Sequence, residues 1–108
     1  MIKVRGFQVA PPELERVLLG HPDVEDCAVI GIKSPQSKGD EKPRAYVVRR
    51  PGASVSAHEL QDLVSNKLAS YKALTGGVEF VNEIPKSPSG KILKRILREQ
   101  AAGSRAKL

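Results

Sequence analysis

The chain has 108 residues, a formal net charge of +6 and a pI near 9.7, which suits one domain with a modest core and disfavours a large two-substrate cleft enclosed by this chain alone. The excess of Lys and Arg favours phosphate-bearing partners, whether nucleotides, coenzymes, nucleic acid or anionic membrane. Its lone cysteine, Cys27, excludes an intrachain disulfide and fits a reducing, intracellular compartment, while the absence of any apolar run near the ~18 residues of a membrane span, or of a signal-peptide core after Met1 to Arg5, leads us to expect a soluble protein.

In chain order, Ile2 and Val4 alternate with Lys3 and Arg5 up to Gly6, the pattern of a short edge strand or hairpin broken where glycine permits an unusual backbone angle. Pro11-Pro12-Glu13 opens a helix with apolar stripe Leu14, Val17 and Leu18. Glu13 and Glu15 suit its positive end, and Gly20-His21-Pro22 stops it. Val24 to Ile32, continuously apolar from Cys27 as in a strand covered on both faces, is expected to be the central strand, with Cys27 a buried, inert thiol. Ser34 to Pro43 reads as a loop. Ala45 to Arg50 then returns as a strand, most simply antiparallel to the one before it.

Ser56-Ala57-His58-Glu59 is a capping-box signature for a helix whose stripe is Leu60, Leu63, Val64 and Leu68. His58, in its first turn without partners at ligand spacing, reads as a surface residue. Gly76-Gly77 leads into an alternating strand, Val78 to Val81. The sum is an α+β domain, a small mixed β-sheet with helices packed on it, preceded by a short strand or hairpin.

The stretch Asn82-Glu83-Ile84-Pro85-Lys86-Ser87-Pro88-Ser89-Gly90-Lys91-Ile92-Leu93-Lys94-Arg95 carries the chemistry. Its prolines forbid regular structure up to Pro88, and the spacing of Ile92, Leu93, Ile96 and Leu97 predicts a helix from near Lys91. Ser89 would cap that helix and Gly90 would let a ligand approach the backbone. Lys91 would add a full charge beside free amides, which together suggest a phosphate-directed site. A solvated lysine after a Ser-Gly turn gives the same spacing. A Walker A loop is excluded, because Pro85 stands at its first glycine and Ile92 at its Ser/Thr.

Two motifs together resemble the C-terminal domain of the adenylate-forming (AMP-binding) superfamily, in its acyl-CoA synthetase and coumarate-CoA ligase-like branch. Ile2-Lys3-Val4-Arg5-Gly6-Phe7-Gln8-Val9-Ala10-Pro11 is similar to the motif after that family's interdomain hinge, and Gly76 to Leu93 is similar to its closing motif. The likeness covers residues 2–98. It implies a lid domain over 1–100, and the residues after it, 101–108, read as a flexible tail.

The resemblance also implies a two-step reaction in which a carboxylate attacks the α-phosphate of ATP and the acyl-adenylate then meets the thiol of coenzyme A. By that likeness Lys91, with Gly90 beside it, serves adenylation. Lys3 and Gln8 serve thioester formation, and Gly6 lets the pantetheine arm pass close to the backbone. ATP and coenzyme A are then substrates, and Mg2+ is expected in the family's large N-terminal domain, which is the implied partner together with a carboxylic acid. That domain's ATP loop and acyl pocket have no counterpart in these residues, so this chain alone is expected to be inactive. Arg5 stands where many relatives carry lysine, which keeps the cation. Some relatives use an acceptor other than coenzyme A, and the acyl substrate is not written in this domain.

Ala106-Lys107-Leu108 follows the small-basic-leucine pattern of peroxisomal addresses, so a peroxisomal location and an import receptor are expected, with the cytoplasm as the alternative. The competing function is a non-catalytic module whose basic helix (Lys91, Lys94, Arg95, Arg98) engages nucleic acid or another anionic partner. Phe7, Tyr46, Tyr71 and Phe80 are too scattered for a stacking platform, which disfavours it.

Overall fold

A computed structural model of the chain describes residues 1–33 and 39–106, the last five of these as backbone only. The described elements are β1 (Ile2–Val4), β2 (Phe7–Val9), α1 (Pro11–Leu19), β3 (Val24–Lys33), β4 (Glu41–Arg49), α2 (Ala57–Lys67), a short 3-10 turn at Ser70–Lys72, β5 (Val78–Phe80) and α3 (Lys94–Ala106). β1 and β2 form a separate antiparallel hairpin. The main sheet has the order β3-β4-β5, with β4 antiparallel to β3 and parallel to β5. The α+β class, the element order and the hairpin are as the sequence predicts.

Alternation along β3 and β4 divides the apolar side chains between two cores. Cys27, Val29, Ala45 and Val47 face one way and pack with Ile2, Val4 and Val9 of the β1–β2 hairpin, Leu14 and Leu18 of α1, and Leu60 and Val64 of α2. Ala28, Ile30, Tyr46 and Val48 face the other way and pack with Ile84, Ile92 and Leu97. The sheet therefore carries the N-terminal hairpin on one face and the closing segment on the other. Ser56 caps α2 as expected, its Oγ accepting from the Glu59 N–H at 3.1 Å. His58 lies on the surface, 3.3 Å from Asp62 one turn on.

Four expectations change. The central strand is β4, and β3 lies at the edge of the sheet. Its continuous apolar run reports that both faces are covered, which says nothing about how many strands flank it. β4 begins at Glu41 and takes in Pro43, whose carbonyl accepts from the Gly76 N–H at 2.8 Å ahead of the β5 pairing that starts at Ala45, so its missing N–H falls outside the β5 ladder and is tolerated. Of the predicted loop, residues 34–38 lie outside the described residues. The last helix begins at Lys94 instead of near Lys91, and it continues through residues 101–106 where a tail is expected. Ala101 follows Leu97 by one helical turn and both are buried, which carries the helix past residue 100. Residues 107 and 108 of the Ala106-Lys107-Leu108 pattern lie outside the described residues. No helix among the described residues is long and apolar enough to cross a membrane.

Candidate functional site

The two motifs form two hairpins. In the first, Ile2 pairs with Val9, Lys3 with Gln8 and Val4 with Phe7. The connection is Arg5-Gly6, both at positive φ (48° and 85°), the signature of the two-residue turn whose twist matches a hairpin. A Cβ on Gly6 would meet nothing within 4 Å, so glycine is needed there for its backbone angle, and open space lies beside it. Ile2, Val4 and Val9 anchor the inner face. Lys3 and Gln8 project from the outer face, exposed, and neither side chain has a hydrogen-bond or ion-pair partner among the described residues. The Lys3 N–H donates to Glu41 Oε1 at 3.0 Å, tying the hairpin to the start of β4. Phe7 stacks on Tyr71 with ring centroids 4.3 Å apart.

The second hairpin is built on the bridge between Lys86 and Ile92. The Ser87 N–H donates to the Lys91 carbonyl and the Gly90 N–H to the Ser87 carbonyl, both at 2.8 Å, and Gly90 sits at φ 88°. This is a three-residue loop, Pro88-Ser89-Gly90, closed by a glycine in the left-handed region. The Leu93 N–H donates to the Pro85 carbonyl at 2.8 Å, locking the exit of the hairpin before α3 begins. Ser89 caps no helix, because its Oγ is 2.8 Å from Ser87 Oγ. The Lys91 N–H donates to Ser87 Oγ at 3.3 Å. The predicted cradle of free helix-end amides is therefore absent at Gly90 and Lys91, whose N–H groups are engaged within the loop. What the loop offers is charge. Lys91 is exposed and its ammonium has no partner among the described residues.

The flanking lysines behave differently. Lys86 Nζ is 2.6 Å from Asp26 Oδ2, and Lys94 Nζ is 3.1 Å from Glu15 Oε2. Both carboxylates also close the open edge of β3. Asp26 Oδ1 accepts from the Cys27 N–H at 2.9 Å, and Glu15 Oε2 from the Val29 N–H at 2.8 Å. An edge strand with unpaired amides is a site for unwanted pairing, and here those donors are satisfied by the same acids that pin the closing segment. The Asp26 and Glu15 roles are missed by the sequence, in which Glu15 is legible only as an acid near a helix start. Between two tethered lysines, Lys91 is the one left outward on a fixed loop.

Cys27 is buried, and its Sγ lies 3.5 Å from the Glu15 carbonyl. Burial, with Glu15 and Asp26 adding negative charge, pushes its thiol up to about 12, as expected of an inert cysteine. Lys72 Nζ is 2.8 Å from Glu13 Oε1, and its hydrogen bond to Glu13 holds it above the ordinary lysine range. Among the described residues no group of three or more His, Cys, Asp or Glu side chains is arranged to hold a metal ion.

Residues 13–91 match the family model of the AMP-binding enzyme C-terminal domain. The chain is 60% identical over 102 residues to acyl-CoA synthetase ACTT5 of Alternaria alternata, covering 94% of this chain and 18% of that protein. It is 47% identical over 102 residues to 4-coumarate--CoA ligase 2 of Nicotiana tabacum, with the same shares covered. Among solved structures, ATP-bound MatB from Rhodopseudomonas palustris superposes with a TM-score of 0.86 at 31% identity, covering 93% of this chain and 19% of that one. The chain thus spans about a fifth of the length of these relatives. It belongs to the AMP-binding enzyme C-terminal domain family.

Proposed function

We propose that this chain is the C-terminal lid domain of an ATP-dependent, AMP-forming acyl-CoA synthetase, working with a large N-terminal domain that holds ATP, Mg2+ and the carboxylic acid. The observation that carries this proposal is the unpartnered Lys91 ammonium on a loop whose neighbouring lysines are pinned to Asp26 and Glu15. In adenylation a carboxylate oxygen bonds to the α-phosphorus of ATP as the bond to pyrophosphate breaks. Negative charge gathers on the oxygens around phosphorus, and a cation already held in place and shielded from water stabilises that transition state more than the ground state. An ammonium engaged within its own domain would first have to break that contact.

In the second step the thiol of coenzyme A attacks the acyl carbonyl, the thiol proton is lost and AMP leaves. We assign Lys3, Gln8 and the Arg5-Gly6 turn to this step. Their hairpin packs on the face of the sheet opposite the closing segment, so a swing of the lid is needed to exchange one set for the other. Mg2+ is assigned with ATP to the large domain on the family likeness.

Mixing the chain with the separately purified large domain of a close relative and following acid-dependent pyrophosphate release tests the proposal. Release should appear only when both parts are present. Full activity of the large domain alone, unchanged on adding this chain, would contradict it. We further propose a peroxisomal location from Ala106-Lys107-Leu108. A fluorescent fusion ending in these residues should enter peroxisomes, and the same fusion lacking them should stay in the cytosol.

A further inference from the structure

Support for the β1–β2 hairpin weakens toward its turn. On its inner face Val9 is 0% and Ile2 2% exposed, Val4 reaches 9%, and Phe7, the register partner of Val4, is 53% exposed. Beside the turn runs an open cleft of about 390 Å³, lined by Val4, Arg5, Glu41, Ser70, Tyr71 and Thr75 among others, so the core does not fill in beneath the tip. The contact that reaches the tip is Phe7 on Tyr71, with ring centroids 4.3 Å apart and planes 20° from parallel. Tyr71 is the middle residue of the Ser70–Lys72 3-10 turn, and that turn is fixed on either side. Before it Leu68 packs against the core. After it Leu74 is buried, and its carbonyl accepts from Gln61 Nε2 of α2 at 3.0 Å. Lys72 Nζ reaches both oxygens of Glu13 in the first turn of α1, at 2.8 and 3.0 Å, which ties the turn to the helix that follows the hairpin.

We infer that Tyr71 is a positioning residue for coenzyme A attack, holding the Phe7 ring and through it the turn that sets Gly6 and Gln8; this rests on the assignment of the hairpin to that step. Phe7 stands between Gly6 and Gln8 in the chain, so a shift of its backbone moves both neighbours. Groups that act on a reacting centre lose much of their effect when displaced by about 1 Å, which makes a propped tip worth more than its packing alone. The Tyr71 hydroxyl makes no hydrogen bond among the described residues, so the ring carries the role and the oxygen does not. A phenyl ring can make the same stack, and a branched aliphatic side chain cannot. Tyr71 packs with the core on the hairpin's side of the sheet, whereas Ile84 and Ile92 of the closing segment pack on the other, so the Lys91 loop is outside its reach.

Two measurements on Tyr71→Leu and Tyr71→Phe test this. In the 108-residue chain, NMR relaxation should give the Gly6 and Gln8 backbone amides order parameters of about 0.85 in the parent and in Tyr71→Phe, falling below roughly 0.6 in Tyr71→Leu while β3 and β4 stay ordered. In the complete two-domain enzyme, Tyr71→Leu should slow coenzyme A attack on preformed acyl-adenylate about tenfold, in kcat more than in KM, with pyrophosphate exchange unchanged, and Tyr71→Phe should restore the rate. Phe7→Leu removes the same stack at an exposed position, where the fold is not at stake, and should reproduce both effects. A hairpin that stays ordered in Tyr71→Leu and Phe7→Leu, or a loss in Tyr71→Phe equal to that in Tyr71→Leu, would overturn the inference alone. A loosened hairpin with undiminished coenzyme A attack would remove the hairpin from that step, and would overturn the assignment and the inference together.

Discussion

Lys3 and Gln8 are register partners across the β1–β2 hairpin and leave its outer face side by side, while Ile2, Val4 and Val9 hold the inner face in the core. An ammonium and an amide are thereby presented together by a rigid turn, with nothing in the described chain competing for them. Lys3→Ala and Gln8→Ala should each slow thioester formation from preformed acyl-adenylate while leaving pyrophosphate exchange near its original rate. Both sites are exposed, so urea midpoints should stay within about 0.5 kcal/mol of the parent. A parallel loss of both half-reactions would contradict the separation of the two hairpins.

The turn itself has a separate signature. Gly6 holds a φ of 85°, and although a methyl group would meet no neighbour, its backbone angle disfavours any L side chain. Gly6→Ala should cost about 1–2 kcal/mol in chemical denaturation. It should also depress the thioester step more than its stability cost explains, because it displaces Lys3 and Gln8 together. Unchanged stability would show that the angle is not required.

Glu15 joins three elements through one carboxylate, accepting from the Val29 N–H and holding Lys94 at the start of α3. Glu15→Ala strands an edge amide and releases α3 at once, and should destabilise the fold by about 2 kcal/mol by equilibrium unfolding. Glu15→Gln keeps an acceptor for Val29 and should recover part of that loss. Hydrogen exchange should locate the remaining defect at Val29 and in the first turn of α3, and equal destabilisation by both substitutions would argue against the amide contact.

Cys27 provides a pH reading. Its thiol is raised from the ordinary 9.0 to about 12 by burial and by the nearby Glu15 and Asp26. Between those values the folded chain keeps a proton that the unfolded chain has lost. This contribution to stability is therefore complete below about pH 9 and is lost as pH rises toward 12. A thiol reagent should modify the native chain slowly at pH 8 and rapidly once denaturant is added, and rapid native modification at pH 8 would contradict the burial.

Much of the fold was legible because its signals are local. The Ser56 cap, the Pro11-Pro12 start of α1 and the glycine that turns the first hairpin each depend on a few neighbouring residues. The closing segment departs from its sequence pattern at Ile92 and Leu93, whose spacing fits a helix. Ile92 instead pairs with Lys86, and the Leu93 N–H is taken by Pro85, so turn geometry outweighs apolar period until Lys94. The apolar run of β3 suggests a central strand because it reports covered faces, and nothing in it reveals that its open edge is closed by Asp26 and Glu15. Lys91 stood out in sequence, but its exposure depends on partners that Lys86 and Lys94 find far away along the chain.

The decisive measurement is the pair of half-reactions for Lys91→Ala in the complete two-domain enzyme. Acid-driven pyrophosphate exchange should fall by several orders of magnitude, while coenzyme A attack on presynthesised acyl-adenylate keeps most of its rate and the melting temperature stays unchanged. Retained exchange, or equal loss of both steps, would contradict an account in which one exposed ammonium on the Pro88-Ser89-Gly90 loop serves adenylation alone.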